Sequence, residues 1–205
     1  VLLIVMFLVW RQDNKSPLYI ALRSGKQKKE FKIVKLRSMV VNADKNGVDS
    51  TSSSDIRITP IGYFIRKYKL DELTQLWNVL IGDMSLVGPR PNTNSEIELY
   101  THLEKKLLSV RPGITDFSSI VFSDEGEILK DKKNPNLSYN QLIRPWKSRL
   151  GLIYIEKQSL FLDLKIIIYT VVAIISKQKA LDWVSSELES FNTEKNIVNI
   201  SRREV

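Results

Sequence analysis

The chain has 205 residues, enough for one domain with a substantial core. Its 31 basic and 23 acidic residues leave a formal net charge of +8, which favours polyanionic partners such as nucleic acid, anionic headgroups or phosphate-rich small molecules. The absence of cysteine excludes a disulfide framework, a thiolate zinc site and a cysteine nucleophile, and a single histidine argues against a histidine metal centre or a Ser-His-Asp triad. That histidine, His102, reads as a solvated helix residue.

Residues 1–10, VLLIVMFLVW, are wholly apolar, half of the about 20 residues that span a bilayer. Trp10 and Arg11 suit a membrane interface, where an indole and a snorkelling guanidinium sit at headgroup level. The expectation is the end of a membrane-embedded segment that begins before residue 1; the alternative is a core strand or helix. SPLYIALRSGKQKKEFKIVKLRSMV reads as strand, turn and strand, with Gly25 in the turn. In the second strand Phe31 and Ile33 face inward, and Lys35 and Arg37 share a face by alternation. Residues 42–55, with their serine run, read as a loop.

Thr59 before Pro60 marks a helix start. Ile61, Phe64, Ile65 and Tyr68 recur at helical spacing, with Arg66, Lys67 and Lys69 mostly off that face. A second helix is expected over 70–80, stopped by Gly82, with Leu73, Leu76, Trp77 and Leu80 as its apolar stripe. A further helix is expected over 93–109, then a turn at Arg111-Pro112-Gly113. SSIVFSDEGEIL reads as a small hairpin or strand, and NPNLSYNQLIRPWKSRLGLIYIEKQS as loop plus helix. Residues 160–175 form a nearly all-apolar helix, buried or lying in a membrane interface. The last thirty residues read as a polar helix and loosely attached tail. The fold class is therefore α+β, mostly helical with a small β-hairpin or sheet. Three parts are expected: a membrane segment over 1–12, a catalytic domain over 13–175 and a C-terminal helix and tail over 176–205.

Asp71 and Glu72 fall in the first turn of the second helix, where free backbone N–H groups and the helix dipole favour ionised carboxylates. An ionised aspartate can act as a nucleophile, and a neighbouring glutamate can hold Mg²⁺, which takes oxygen ligands through one or two carboxylates plus substrate phosphates. Acids at a helix start are also ordinary capping groups. Lys35, Arg37, Arg66, Arg90 and Arg111 add phosphate-directed charge. Two prolines restrict the backbone at Arg90, and a guanidinium grips phosphate with two parallel bonds.

FKIVKLRSM, TPIGYFIRKYKLDELTQLWNVLIGDMSLVGPRP, RPGIT and SLFLDLKIIIYT occur in that order. Over residues 1–175 they closely resemble the bacterial sugar transferases, in particular the small monotopic polyprenyl-phosphate phosphoglycosyl transferases. The resemblance implies transfer of a sugar-1-phosphate from a nucleotide sugar, usually a UDP-sugar, to undecaprenyl phosphate at the cytoplasmic face of the inner membrane. It makes Asp71 the nucleophile of a covalent phosphosugar intermediate and Glu72 a ligand of Mg²⁺. It assigns substrate-binding roles to Lys35, Arg37, Arg66, Arg90 and Asp163, beside the turn residue Arg111, and implies a proline-kinked re-entrant helix of which VLLIVMFLVW is the returning end. Leu36 replaces the usual phenylalanine, and Thr74 stands where proline is common. RPGITDFSSI lacks the glycine and the aromatic-glutamine pair of many members, which puts Asp116 near the nucleotide or sugar.

The expected partners are a nucleotide-sugar donor, a polyprenyl phosphate acceptor and membrane lipid, with dimerisation left open. A second reading is a catalytically silent membrane-surface scaffold of a glycan assembly complex. Nucleic acid is not expected: the charge alone suggests it, without an aromatic-interleaved basic platform.

Overall fold

The computed structural model describes residues 1–46 and 50–203, with the side chains of 45 and 46 outside the description. Part of the expected 42–55 loop therefore lies outside the described residues. The chain is α+β, mainly helical, with two separate two-stranded sheets.

Helix α1 spans Leu2–Asp13. Its Val5 and Val9 are buried against Leu36 and Ile65, while Leu3, Ile4, Phe7, Leu8 and Trp10 stay exposed. Strands β1 (Leu18–Ser24) and β2 (Glu30–Leu36) form an antiparallel hairpin in which Lys35 faces Tyr19. Phe31 and Ile33 are buried inward, against Met84, as alternation predicts. Because β2 ends at Leu36, alternation does not extend to Arg37, and the expectation that Lys35 and Arg37 share a strand face fails.

Helix α2 (Pro60–Lys67) starts at Thr59, whose Oγ1 accepts from the Gly62 amide at 3.0 Å. A Cβ on Gly62 would stand 1.9 Å from the Ser38 carbonyl oxygen, so only glycine lets α2 approach the chain after β2 this closely.

The expected helix over 70–80 divides into a 3₁₀ turn, Leu70–Gln75, and α3, Leu76–Leu80. Its burial is the reverse of the expected stripe. Leu73, Leu76, Trp77 and Leu80 are exposed, whereas Thr74, Gln75 and Asn78 are buried. The reason is hydrogen bonding. Asn78 accepts from the Val34 amide at 3.0 Å and donates to the Lys32 carbonyl at 2.8 Å, and Thr74 Oγ1 donates to the Val34 carbonyl at 2.9 Å. These side chains cover the edge of β2 that β1 leaves open.

Strand β3 (Ser85–Val87) pairs in parallel with β4 (Gly113–Thr115). A Cβ on Gly113 would lie 2.1 Å from the Gly88 nitrogen, so the turn after β3 meets β4 backbone to backbone. The expected helix over 93–109 is broken into α4 (Asn94–Glu98) and a 3₁₀ helix at Glu104–Ser109. A Thr93/Glu96 capping box starts the first, and a matching Thr101/Glu104 pair restarts the chain at the second. SSIVFSDEGEIL is helical, not extended: α5 covers Phe117–Val121 and α6 Glu125–Ile128. Asp116 caps α5 by accepting from the Ser119 amide at 2.8 Å, and that local bond decides against a strand.

Helix α7 (Pro135–Ser138) runs into a π-helical turn, Tyr139–Ile143, and then α8, Arg144–Lys157. Helix α9, Leu160–Ile175, buries Leu162 and Ile166 and exposes Leu160, Phe161, Leu164, Ile168, Val171 and Ile175. Among the described residues no helix is long and apolar enough to cross a membrane. Helices α10 (Lys177–Ser190) and α11 (Lys195–Arg202) correct the loosely attached tail. Ala180, Leu181, Val184, Leu188, Ile197 and Val198 complete the largest core, with Phe117, Leu150 and Ile166. Few apolar residues suffice there because they share one helical face.

Replacing Asn78 by Leu strands the Val34 amide and the Lys32 carbonyl. The expected loss is about 2–4 kcal/mol in urea unfolding, from two unmade bonds to buried backbone. Leu80→Ser, on the exposed side, should change stability by less than about 0.5 kcal/mol.

Candidate active site

Lys69 adopts the left-handed conformation, φ 55° and ψ 26°, and turns the chain from α2 into the 3₁₀ segment that carries the acidic pair. Thr74 Oγ1 also lies 3.3 Å from the Asp71 carbonyl, tying this turn to β2. Asp71 and Glu72 thus meet side chains from four places: Lys35 of β2, Arg66 of α2, Lys69 of the turn and Arg90 after β3.

Asp71 Oδ1 is buried and has no hydrogen-bond partner among the described residues. Burial, and then the neighbouring Glu72 charge, push the Asp71 carboxyl up from its ordinary value, while Lys35, Arg66 and Lys69 oppose them. Glu72 moves the other way. Its Oε1 lies 2.8 Å from Arg90 Nη1, and despite burial Arg90, Lys69 and Lys35 hold it ionised. Arg90 is correspondingly stabilised as a cation, first by Glu72. Burial, reinforced by Arg90, brings the Lys35 ammonium down to about 8. Arg66 Nε donates to Ser38 Oγ at 2.9 Å, and burial outweighs the pull of Asp71 in lowering its pKa.

Two adjoining cavities, about 530 and 580 Å³, meet at these groups. Lys35, Arg66 and Asp71 line both; Glu72 and Arg90 line only the larger. The smaller one runs past Lys15 and Ser16 and has apolar walls at Leu18, Leu36, Met39 and Val40. Glu125 and Tyr139 line both as well, and the larger one alone takes in Asp116, Arg144 and Lys147. Both volumes fall in the range of about 300–1,000 Å³ typical of small-molecule sites.

The other expected residues are placed differently. Arg37 borders the smaller cavity, but its guanidinium is engaged at all three nitrogens. It pairs with both Asp13 oxygens at 2.6 and 2.7 Å, and its Nε donates to the Ser16 carbonyl at 2.8 Å. Arg111 is exposed and lines neither cavity, and His102 is exposed as expected but lies in a turn, not a helix. Asp163, at the start of α9, accepts from the Tyr154 hydroxyl at 2.7 Å and also lies outside both cavities. Asp116 lines the larger cavity with its oxygens occupied by Ser118 and Ser119.

A family model for bacterial sugar transferases matches residues 1–177. The chain belongs to the bacterial sugar transferase family. It is 36% identical to the UDP-glucose:undecaprenyl-phosphate glucose-1-phosphate transferase of Klebsiella pneumoniae, over 83% of this chain and 35% of the relative. It is 34% identical to the galactosyl transferase CpsE of Streptococcus agalactiae, over 84% of this chain and 38% of the relative. An uncharacterized sugar transferase of Bacillus subtilis, EpsL, is 35% identical over 83% of this chain and 76% of its own length. The chain thus spans little more than a third of the first two relatives.

Among the described residues no three His, Cys, Asp or Glu side chains gather into a metal cage. The acidic pair nonetheless fits a hard cation completed by substrate: both donors are carboxylates, and Asp71 Oδ1 is a buried acceptor without a partner. Arg23, Glu125, Tyr139, Arg144 and Lys147, which also line the larger cavity, lie outside the sequence stretches that carry the family resemblance. For the last two, the spacing i, i+3 placed them on one face of α8.

Arg37 is a clamp between β2 and the end of α1. Its guanidinium holds the Asp13 carboxyl below the ordinary 3.8. A lowered carboxyl pKa stabilises the fold above the unfolded value and loses that contribution as pH falls through the folded one. Arg37→Met should therefore change Trp10 fluorescence at pH 7 and lower the thermal midpoint. In the unsubstituted protein the same fluorescence change should appear only below about pH 4.

Proposed function

We propose that this chain is a phosphoglycosyl transferase that moves a sugar-1-phosphate from a UDP-sugar to undecaprenyl phosphate through a covalent aspartyl intermediate. The observation that carries the reading is Asp71, a buried carboxylate with an unpartnered oxygen where two cavities meet. A nucleophile that serves two substrates in turn needs access to both. The larger cavity suits the donor, because Arg90, Arg66, Lys35 and Lys69 exceed the acidic pair in charge and can neutralise a diphosphate. The smaller cavity, with apolar walls and basic Lys15, suits a lipid phosphate. The names of the relatives, UDP-sugar and undecaprenyl-phosphate transferases among them, support the same substrates.

In the first step Asp71 Oδ attacks the sugar-bearing phosphorus, the phosphoanhydride bond breaks, and UMP leaves with the bridging oxygen and its electron pair. In the second step a phosphate oxygen of the acceptor attacks the same phosphorus, the aspartyl–phosphorus bond breaks, and Asp71 returns as a carboxylate. Glu72, with Asp71, would hold Mg²⁺ together with the donor's phosphate oxygens; when bound, the ion supplies neutralisation of the diphosphate charge. Arg90 fixes Glu72 and presents its remaining N–H groups to the donor. Lys35 and Arg66 balance the charge that accumulates as phosphorus–oxygen bonds exchange.

The proposed setting is the cytoplasmic face of the inner membrane. On α9 Leu160, Leu164, Ile168, Val171 and Ile175 make one exposed apolar row, and α1 exposes Leu3, Phe7 and Trp10 at a similar spacing. The net charge of +8 adds attraction to anionic lipid. The scaffold alternative has no observation in its favour, since an inert scaffold has no need of a buried unpartnered carboxylate among four cations.

UMP release from a panel of UDP-sugars, with Mg²⁺ and undecaprenyl phosphate, tests the chemistry. The unsubstituted protein should turn over at least one donor, and Asp71→Asn should lower the rate at least about 10³-fold. Equal rates in the two proteins would remove Asp71 as nucleophile. Flotation with anionic liposomes tests the setting: Leu164→Glu with Ile168→Glu should halve the bound fraction or more, and unchanged flotation would exclude α9 as the contact.

A further inference from the structure

Part of the larger cavity's wall is not used by the proposed chemistry. It is built on the first turns of α8, where Arg144, Lys147 and Ser148 share a face and line the cavity, with Glu125 and Tyr139 beside Lys147. Lys147 is ion-paired to Glu125, and its ammonium stands 5.2 Å from the Tyr139 ring centre. Ser148 Oγ donates to Glu104 Oε1 at 2.7 Å, and the same Glu104 oxygen lies 3.7 Å from Arg144 Nη1. That separation gives charge compensation without a hydrogen bond. Arg144 Nε and Nη1 are accordingly buried and have no acceptor among the described residues.

Two features make this a binding wall. The first is the pair of orphaned guanidinium donors, which is costly to bury unless something fills the cavity and accepts from them. The second is the π-helical turn Tyr139–Ile143 immediately before Arg144, a geometry that recurs at functional sites and is here what sets Tyr139 and Arg144 beside the cavity. The charge of the wall indicates the class of ligand. Arg144 and Lys147 are matched by Glu104 and Glu125, leaving no net charge for an anion. Around Asp71 and Glu72, by contrast, four cations face two acids.

We propose that the Arg144 wall reads a neutral, carbonyl-bearing part of the donor, with an unmet N–H group of Arg144 donating to a carbonyl oxygen. Two parts of a UDP-sugar offer that chemistry: the uracil ring and the acetamido group of an N-acetylated sugar. Arg144 is a specificity-determining residue in either case. The inference rests on the donor assignment made above, but its test does not require turnover.

The test is calorimetric titration of the full chain with UMP, UDP-glucose, UDP-N-acetylgalactosamine and inorganic diphosphate. It uses the Asp71→Asn background so that no transfer accompanies binding, and compares it with the same protein carrying Arg144→Gln or Arg144→Lys. A loss of about tenfold or more in affinity for UMP and both donors, with diphosphate unchanged, assigns the carbonyl to uracil and supports the proposal. A loss confined to UDP-N-acetylgalactosamine assigns it to the acetamido group and also supports it. Unchanged affinity for every probe overturns the proposal. So does an equal loss for diphosphate, which would make Arg144 a phosphate ligand, and so does full recovery in Arg144→Lys, which keeps the charge but not the planar, fixed N–H groups of the guanidinium. Thermal midpoints of the variants, within a few degrees of the parent, tie the losses to the site. A protein that shows this binding pattern but releases no UMP would refute transfer and leave the wall standing. One that releases UMP and binds indifferently to Arg144 would do the opposite.

Discussion

The site depends on a helix segment packed by its polar side. Thr74 and Asn78 bond directly to the backbone of β2 at Val34 and Lys32, which brings the 3₁₀ turn against the strand beside Lys35. Apolar packing alone would leave this contact free to slide by a fraction of an ångström, because dispersion and burial have no direction. Three hydrogen bonds to fixed backbone groups set both register and rotation. Asp71 and Glu72, one turn earlier on the same segment, inherit that precision. The cost is that Leu73, Leu76, Trp77 and Leu80 are turned outward. That cost falls if the outward side meets an apolar medium, as the proposed membrane setting provides.

The two carboxylates are adjacent in sequence yet held in different states by their neighbours. Arg90 is in contact with Glu72 and keeps it ionised; Asp71 Oδ1 has no partner among the described residues, and burial works against the charge. Two like charges in one low-dielectric pocket cannot be equally comfortable, and the single guanidinium contact decides which is the permanent anion. The division suits a pair in which one member holds fixed charge and the other uses its electron pair. An oxygen already saturated with hydrogen bonds, such as those of Asp116, would be a poorer donor to phosphorus.

Much of the centre was legible in the sequence because it is contiguous. The Asp71–Glu72 pair, Arg66 five residues before it and the proline-bracketed Arg90 lie within one stretch, and the fold brings them to Lys35 as one group. Arg37 was misplaced because alternation is a property of a strand, and β2 stops one residue earlier. The polarity of the 70–80 segment was read backward for a related reason. A hydrophobic stripe marks the buried side only when burial is apolar, and side-chain bonds to a strand edge leave no periodic signal. The two T-x-x-E boxes at Thr93 and Thr101 were visible and would have divided 93–109 correctly. The C-terminal helices are polar in overall composition, whereas Ala180, Leu181, Val184 and Leu188 occupy one buried side of α10.

The α8 wall was least legible, since its members come from four separate segments and none belongs to a recognisable motif. Its placement follows a physical separation of tasks. The groups that bind diphosphate must carry surplus positive charge, and such a surplus attracts every phosphorylated metabolite alike. Discrimination between donors therefore has to come from contacts that do not respond to charge. A balanced pair of ion pairs with two buried, unmet N–H groups is of that kind: in the proposed role it disfavours a ligand without a carbonyl, which leaves those donors stranded. The electrostatic centre and the neutral wall share one cavity but ride on different elements, the first on β2, α2 and the 3₁₀ turn, the second on α6, the π-turn and α8. If α8 reads the donor as proposed, substitutions there alter which donor is accepted while the register of Thr74 and Asn78 keeps the carboxylates in place.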